Sequence, residues 1–349
     1  MNNEPDGPIR LTRFSHGAGC GCKIAPALLE EILHGEVATL TDPALLVGYG
    51  SRDDAAVYSI GDGRCLISTT DFFPPIVDDP FDYGRIAATN ALSDIYAMGG
   101  RPLLAVAILG WPIEKLGPEP ARKVLDGGRT ACAEAGIALA GGHSIDAPEP
   151  FFGLAVTGEV AEHHVKRNDT ARVGDLLYLT KPIGVGILST AMKRGILPKG
   201  SERTLVDTMT RINSVGTTLG TMDAVHAMTD ITGFGLSGHL LEMCGTNLSA
   251  ELVFDAIPVL PEVLQLIAQG CYPDGALRNW KSHGHLVQGA DSMERMFVIA
   301  DPQTSGGLLI ACDPTHSHDL EQVLLEHGLP GQRIGTMTRI GPHPLVFVR

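Results

Sequence analysis

Phe81-Asp-Tyr-Gly-Arg-Ile-Ala-Ala-Thr-Asn-Ala-Leu-Ser-Asp-Ile-Tyr-Ala-Met98, followed by Gly99-Gly-Arg-Pro-Leu-Leu-Ala-Val-Ala-Ile-Leu109, is the stretch on which the reading of the fold turns. Small and apolar residues recur at helical spacing as far as Met98, and Gly99-Gly100 before Pro102 is a helix stop. Pro102 to Leu109 is a short, nearly continuous apolar run and reads as a buried strand. On the N-terminal side, Arg64 to Thr70 reads as another strand. On the C-terminal side come a second helix, Glu119 to Ala135, and short strands at Ile137 to Ala140 and Phe151 to Val160. Helices and strands in alternation over residues 49 to 162 make a compact α/β region.

Polar residues from Lys166 to Gly174 read as a linker, and a second α/β region fills the rest. There the expected strands are Asp175 to Thr180, Leu308 to Ala311 and Leu345 to Val348, and the expected helices Ser201 to Leu219 and Leu236 to Cys244. Ahead of both regions, His16-Gly-Ala-Gly-Cys-Gly-Cys22 is too rich in glycine for a stable helix, and a short helical pattern runs from Pro26 to His34. A length of 349 residues suits about two domains at roughly 150 residues each. With 44% hydrophobic and 19% charged residues the chain can bury substantial cores and does not read as disordered.

Forty acidic against 26 basic side chains, a net charge of -14, argue against a nucleic-acid-binding surface. They do not forbid an anionic ligand, because bound metal ions reverse the local sign. The longest apolar stretch, Leu103 to Trp111, falls far short of the ~20 residues of a spanning helix, and no signal peptide is visible. Scattered cysteines suit a reducing, cytoplasmic setting; Cys65, Cys132, Cys244 and Cys312 read as small buried hydrophobes, and Cys271 is unassigned.

Acidic residues gather at segment ends. Asp53 and Asp54 precede the apolar run Ala55 to Tyr58, Asp71 closes the strand from Arg64, and Asp230 precedes a glycine turn. Asp94 lies within an otherwise apolar helix on the same face as Asn90, four residues earlier. A carboxylate there is costly unless paired or metal-bound. Taken together, with no matching surplus of Lys or Arg nearby, these aspartates favour hard divalent cations, and magnesium leaves room for phosphate oxygens. Ala140-Gly-Gly-His-Ser144 reads as a turn able to cradle phosphate, and Asp301-Pro-Gln-Thr-Ser-Gly-Gly307 as a comparable loop before a strand. No Walker sequence occurs. Gly233-Phe-Gly-Leu-Ser-Gly238 matches the dinucleotide fingerprint in spacing, but His226 to Asp230 before it is a poor buried strand. Cys20-Gly-Cys22-Lys23 holds too few ligands for zinc. It is a reactive thiol or a coincidence: flanking glycines would expose Cys20, and Lys23 would lower its pKa or bind phosphate instead.

In Ser15-His-Gly-Ala-Gly-Cys-Gly-Cys-Lys23, Arg52-Asp-Asp-Ala-Ala-Val57, Thr69-Thr-Asp-Phe-Phe73, Arg85 to Asp94, Leu139 to Pro150, Met228 to Gly235 and Asp301 to Gly307, the chain resembles the selenophosphate synthetases (selenide, water dikinases). The similarity runs from Ile9 to the C-terminus. It implies an α/β (α+β), two-domain, aminoimidazole ribonucleotide synthetase-like fold with mixed sheets and a flexible glycine-rich N-terminal loop. The expected parts are a catalytic loop and lead-in at 1–48, an ATP-binding and dimerisation domain at 49–165, and a C-terminal α/β domain at 170–349. The implied reaction makes selenophosphate from selenide, ATP and water, releasing AMP and orthophosphate and supplying selenium for selenoproteins and seleno-tRNA. By the same resemblance Cys20 and Lys23 are catalytic, and Asp54, Asp94 and Asp230 bind magnesium. Lys23, Ser51, Arg52, Asp53, Asp71 and Asp94 face ATP, while Gly142, His143 and Ser144 reach the nucleotide from the other subunit of a homodimer. Potassium is a further candidate ion; neither nucleic acid nor membrane is an expected partner. The rivals are another ATP-dependent synthetase or kinase of the superfamily, an NAD-linked thiol oxidoreductase built on Gly233 to Gly238 and the Cys20/Cys22 pair, and a non-catalytic metal-binding or selenium-carrier protein.

Overall fold

The computed structural model describes residues 9–24, 31–32, 42–48, 50 and 53–348; most of the helical pattern from Pro26 to His34 lies outside them, as do Ser51 and Arg52. Two sheets organise the chain. The first holds β1 (Leu45–Val47), β2 (Ala56–Gly61), β3 (Arg64–Phe73), β4 (Arg101–Trp111), β5 (Ala138–Asp146) and β6 (Phe151–Ala161), in the order β1-β2-β3-β6-β4-β5. Neighbours are antiparallel except β4 and β5, which run parallel because the helix Pro118–Glu134 carries the chain back between them. The second holds β7 (Leu176–Leu179), β8 (Val225–Asp230), β9 (Leu248–Val253), β10 (Val287–Gln288), β11 (Leu308–Cys312), β12 (Arg333–Arg339) and β13 (Leu345–Val348), in the order β10-β13-β9-β12-β7-β11-β8. Both sheets are mixed, as expected.

The deciding helix spans Pro80–Ala97. Asp79 caps it by accepting from the Asp82 N–H, and Pro80 sits where a missing N–H costs nothing. It is buried on nearly every side because it packs on β3 and β6, on the helix Pro118–Glu134, and on β8 and the helix Ser201–Thr210 of the second half. A helix enclosed in this way loses the polar face of a surface helix, so Asn90 and Asp94 are buried.

Two expectations are corrected. Residues 140–144 are not a turn but the middle of β5, paired in parallel with β4. The glycines serve close approach: a Cβ on Gly142 would stand 2.4 Å from the Ala107 carbonyl oxygen. The single helix expected from Ser201 to Leu219 is two, Ser201–Thr210 and Val215–Gly220. Tertiary hydrogen bonds win at the break, where Asn213 Nδ2 donates to Ser93 Oγ (2.8 Å) and to the Gly306 carbonyl (2.9 Å).

The loop Asp301 to Gly307 anchors the helix Val185–Arg194. Gln303 Oε1 accepts from the Gly184 and Val185 N–H groups, and Asp301 Oδ2 from that of Gly186. Burial pushes the Asp301 carboxyl up to about 8, against hydrogen bonds from Gln303 and Gly186 that favour the charged form. Between the ordinary carboxylate range and about 8, the folded protein therefore holds a proton that the unfolded chain has released, and stability falls as pH rises. Asp301→Asn is expected to flatten that fall, read as urea midpoints at about pH 5 and about pH 8. A pH profile unchanged from the parent would contradict it.

Candidate functional site

The carboxylates of Asp54 before β2, Asp94 on the Pro80–Ala97 helix and Asp230 at the end of β8 each offer an oxygen within 4.8 Å of the others. Both halves of the molecule thus supply the cluster. Period-two strand geometry puts Thr69 and Asp71 of β3 on one face, and helical geometry does the same for Asn90 and Asp94. They meet as two rungs: Thr69 Oγ1 donates to Asp94 Oδ2 (2.5 Å), and Asn90 Nδ2 to Asp71 Oδ2 (2.7 Å). Thr229 Oγ1 donates to Asp54 Oδ1 (2.8 Å). Oδ2 of Asp54 and Oδ2 of Asp230 are buried with no hydrogen-bond partner among the described residues.

Burial raises all three carboxyls, and repulsion from Asp230 raises Asp54 and Asp94 further. For Asp230, a Ser93 hydrogen bond and the nearby His239 and Lys23 oppose burial. Three converging carboxylates with two unpartnered oxygens are hard donors without enough protein cations to neutralise them, which suits a divalent ion such as magnesium.

Lys23 stands at the edge of this cluster. Its Nζ is 3.8 Å from Asp71 Oδ2 and donates to Thr232 Oγ1 (3.5 Å), with 38% of the side chain exposed. Burial works against the ammonium, but Asp71, and then Cys20, Asp94 and Asp230, more than offset it, so Lys23 stays protonated. Behind it, the Thr232 N–H donates to His239 Nε2 (3.1 Å), and His239 Nδ1 lies 3.2 Å from Glu242.

Cys20 departs from expectation. Its turn, Gly19–Cys22, is a single 3-10 turn, and Cys20 is only 2% exposed. The Cys20 N–H donates to Thr304 Oγ1 (3.0 Å) and the thiol to Asn90 Oδ1 (3.3 Å). Burial pushes the thiol up, Asp71 adds to this, and the pull of Lys23 does not reverse it. Instead of exposing the sulfur, glycines let the turn pack closely: a Cβ on Gly233 would stand 2.5 Å from the Cys20 carbonyl oxygen.

Other expected site residues lie elsewhere. Asp53 turns to the linker, accepting from the Asn168 N–H (2.8 Å) and standing 3.6 Å from Arg167 Nε. Gly142, His143 and Ser144 are on β5, three strand spacings from β3, roughly 14 Å away. Within one subunit they do not meet the carboxylates. Thr69, Thr229, Thr232, Thr304 and His239 were missed as contributors; each lies within or beside a motif read from the sequence, and that adjacency was the available signal. The stretch before Gly233 is a buried strand after all, β8. Its neighbour β11 is antiparallel, however, so the parallel crevice of a dinucleotide fold is absent there. The five cysteines read as single residues are all buried, Cys271 included. No helix among the described residues is long and apolar enough to cross a membrane.

The AIR synthase related protein families match both halves, the N-terminal domain at residues 52–160 and the C-terminal domain at 172–341. Selenide, water dikinase of Photorhabdus laumondii is 57% identical over 331 residues, 95% of this chain and 95% of that protein. Selenide, water dikinase of Cronobacter sakazakii is 55% identical over 343 residues, 98% of this chain and 99% of that one. The crystal structure of thiamine-monophosphate kinase from Stenotrophomonas maltophilia superposes with a TM-score of 0.64 at 20% identity, covering 87% of this chain and 91% of that one. At that identity the likeness shows the fold alone, the AIR synthase-like architecture expected above.

Proposed function

The chain belongs to the selenide, water dikinase family, and on that premise we propose that it makes selenophosphate from selenide, ATP and water at the junction of its two halves. The observation that carries the reading is the convergence of Asp54, Asp94 and Asp230, with two unpartnered oxygens, beside Lys23 and Cys20. Asp54, Asp94 and Asp230 would hold magnesium, which when bound supplies charge neutralisation on the triphosphate. Lys23 adds a fixed positive charge toward the phosphates, kept protonated by Asp71.

In the closed arrangement Asn90 Oδ1 accepts a hydrogen bond from the thiol, and burial keeps the sulfur neutral. When the Gly19–Cys22 turn swings out, Cys20 gains water and the full field of Lys23, which favours the thiolate, a base placed to take the proton of hydrogen selenide. Selenide then attacks the γ-phosphorus: the P–Se bond forms as the β–γ P–O bond breaks. Water cleaves the remaining phosphoanhydride, giving AMP and orthophosphate. Closure of the turn excludes bulk water and limits idle hydrolysis.

Two copies acting as a homodimer fit this reading. Tyr58, Phe72, Leu104 and Val106 are exposed on the first sheet, and among the described residues nothing pairs with the outer edge of β5. A partner there would bring its Gly142 to Ser144 segment toward the nucleotide. The test is anaerobic incubation with ATP, selenide and magnesium, followed by phosphorus NMR and nucleotide analysis, with light scattering on the same preparation. AMP, a selenium-bonded phosphorus signal and twice the chain mass are expected. ADP without that signal would replace the reading with an ordinary kinase.

A further inference from the structure

On the other side of the Cys20 turn lies a cavity of about 360 Å³, walled by that turn, the helix Val185–Arg194, the first turns of the helix Asp274–His283, and Thr304. None of Asp54, Asp71, Asp94 or Asp230 lines it. Its lining carries Lys23, Lys193 and Arg278 against one carboxylate, Asp274, in a chain whose net charge is -14. A cationic cleft on an acidic protein concentrates small anions.

Three further observations tie the cavity to the Cys20 turn and to the carboxylate cluster beyond it. Thr304 lines it, and Thr304 Oγ1 accepts the Cys20 N–H at 3.0 Å, so one side chain separates cavity and cysteine backbone. Arg278 Nη2 donates to the Gly21 carbonyl at 2.7 Å, which fixes one cation to the turn itself. Lys23 faces both the cavity and Asp71, so it is the one charge shared with the carboxylate cluster. Lys193 is exposed and makes no ion pair among the described residues, which leaves its ammonium available to a ligand.

We propose that this cavity is the docking chamber of the selenium substrate, bound as the hydrogen selenide anion, with Lys193 and Arg278 as the residues that select it. The inference rests on the selenophosphate reading and deepens it. Selenide is an anion at neutral pH, and approach past the triphosphate would meet like charge. A separate cationic chamber lets the two anionic substrates reach Lys23 from different sides. At about 30 Å³ per water, the volume accommodates the anion with part of its hydration shell.

The test is anaerobic steady-state kinetics of the full chain, varying selenide and ATP separately, for the parent, Lys193→Gln and Lys193→Glu. Lys193 is a surface residue, so the fold is not at stake. The expected KM for selenide rises about threefold in Lys193→Gln and about tenfold in Lys193→Glu, with kcat and the KM for ATP unchanged. Added salt should lower kcat/KM for selenide in the parent and do so less in both variants. An unchanged KM for selenide in both variants, or an equal rise in the KM for ATP, overturns the chamber while leaving the reaction standing. Absence of selenophosphate from the parent removes the functional reading and the chamber with it.

Discussion

Cys20→Ser is expected to lower selenophosphate formation at least about 10³-fold while leaving ATP affinity within about twofold of the parent. The serine hydroxyl can keep the hydrogen bond to Asn90 Oδ1 and fits the same enclosed turn, so the fold is spared. What it cannot do is ionise beside Lys23, because an alkyl hydroxyl is far less acidic than a thiol. On the proposed reading, nucleotide binding depends on Lys23 and the carboxylate cluster rather than on the sulfur. The measurement pairs phosphorus NMR of the product with calorimetric titration of ATP. Synthesis by the variant near the parent rate would remove Cys20 from the chemistry and leave its burial as a packing role. Loss of ATP binding together with synthesis would instead show that the turn had collapsed.

Asp94→Asn carries the second large effect, with opposite signs in two conditions. Without metal, Asp54, Asp94 and Asp230 are buried together and raised by burial and mutual repulsion. Removing one charge relieves that repulsion, and an asparagine oxygen can still accept from Thr69. The metal-free variant should therefore melt at a higher temperature than the parent. The pH dependence follows from the same directions. Carboxyls raised in the folded state hold protons that the unfolded chain has lost, so metal-free parent stability falls as pH climbs above the ordinary carboxylate range. Asp94→Asn should fall less. Magnesium should raise the parent's midpoint and largely cancel its pH dependence, because it binds the folded state alone. In the variant the magnesium response should shrink and magnesium-dependent ATP affinity drop about 10- to 100-fold. Melting curves with and without magnesium decide the matter. Equal magnesium responses in parent and variant would take Asp94 out of the metal site.

Legibility differed from place to place along the chain. The Pro80–Ala97 helix and its stop were plain, because small residues at helical spacing and the Gly99-Gly100 pair leave few alternatives. Convergence of the aspartates was legible as chemistry, since acid in apolar surroundings demands a cation or a proton. Tandem glycines misled at 140–144: their freedom to turn is visible in the letters, while their usefulness for packing against Ala107 requires knowing that β4 lies alongside. Asp53 and Asp54 are adjacent in sequence and look equivalent, yet one reaches the linker and the other the carboxylate cluster. Both precede β2, and which of them meets the cluster is settled by groups far along the chain, the Asn168 N–H for Asp53 and the Thr229 hydroxyl for Asp54.

From composition, spacing and motif alone came the two-part α/β plan, the expectation that aspartates gather to hold a cation, and the expectation of a chemical role for the Cys20-to-Lys23 segment. Tertiary structure alone decided that Cys20 is sealed rather than exposed, that Lys23 is held protonated by Asp71, and that a cationic cavity lies behind the turn. The reason is one of range. Local sequence sets backbone preference over a few residues, whereas burial and electric field at a side chain are sums over groups far apart in the chain, as Asn90 is 70 and Thr304 is 284 residues from Cys20.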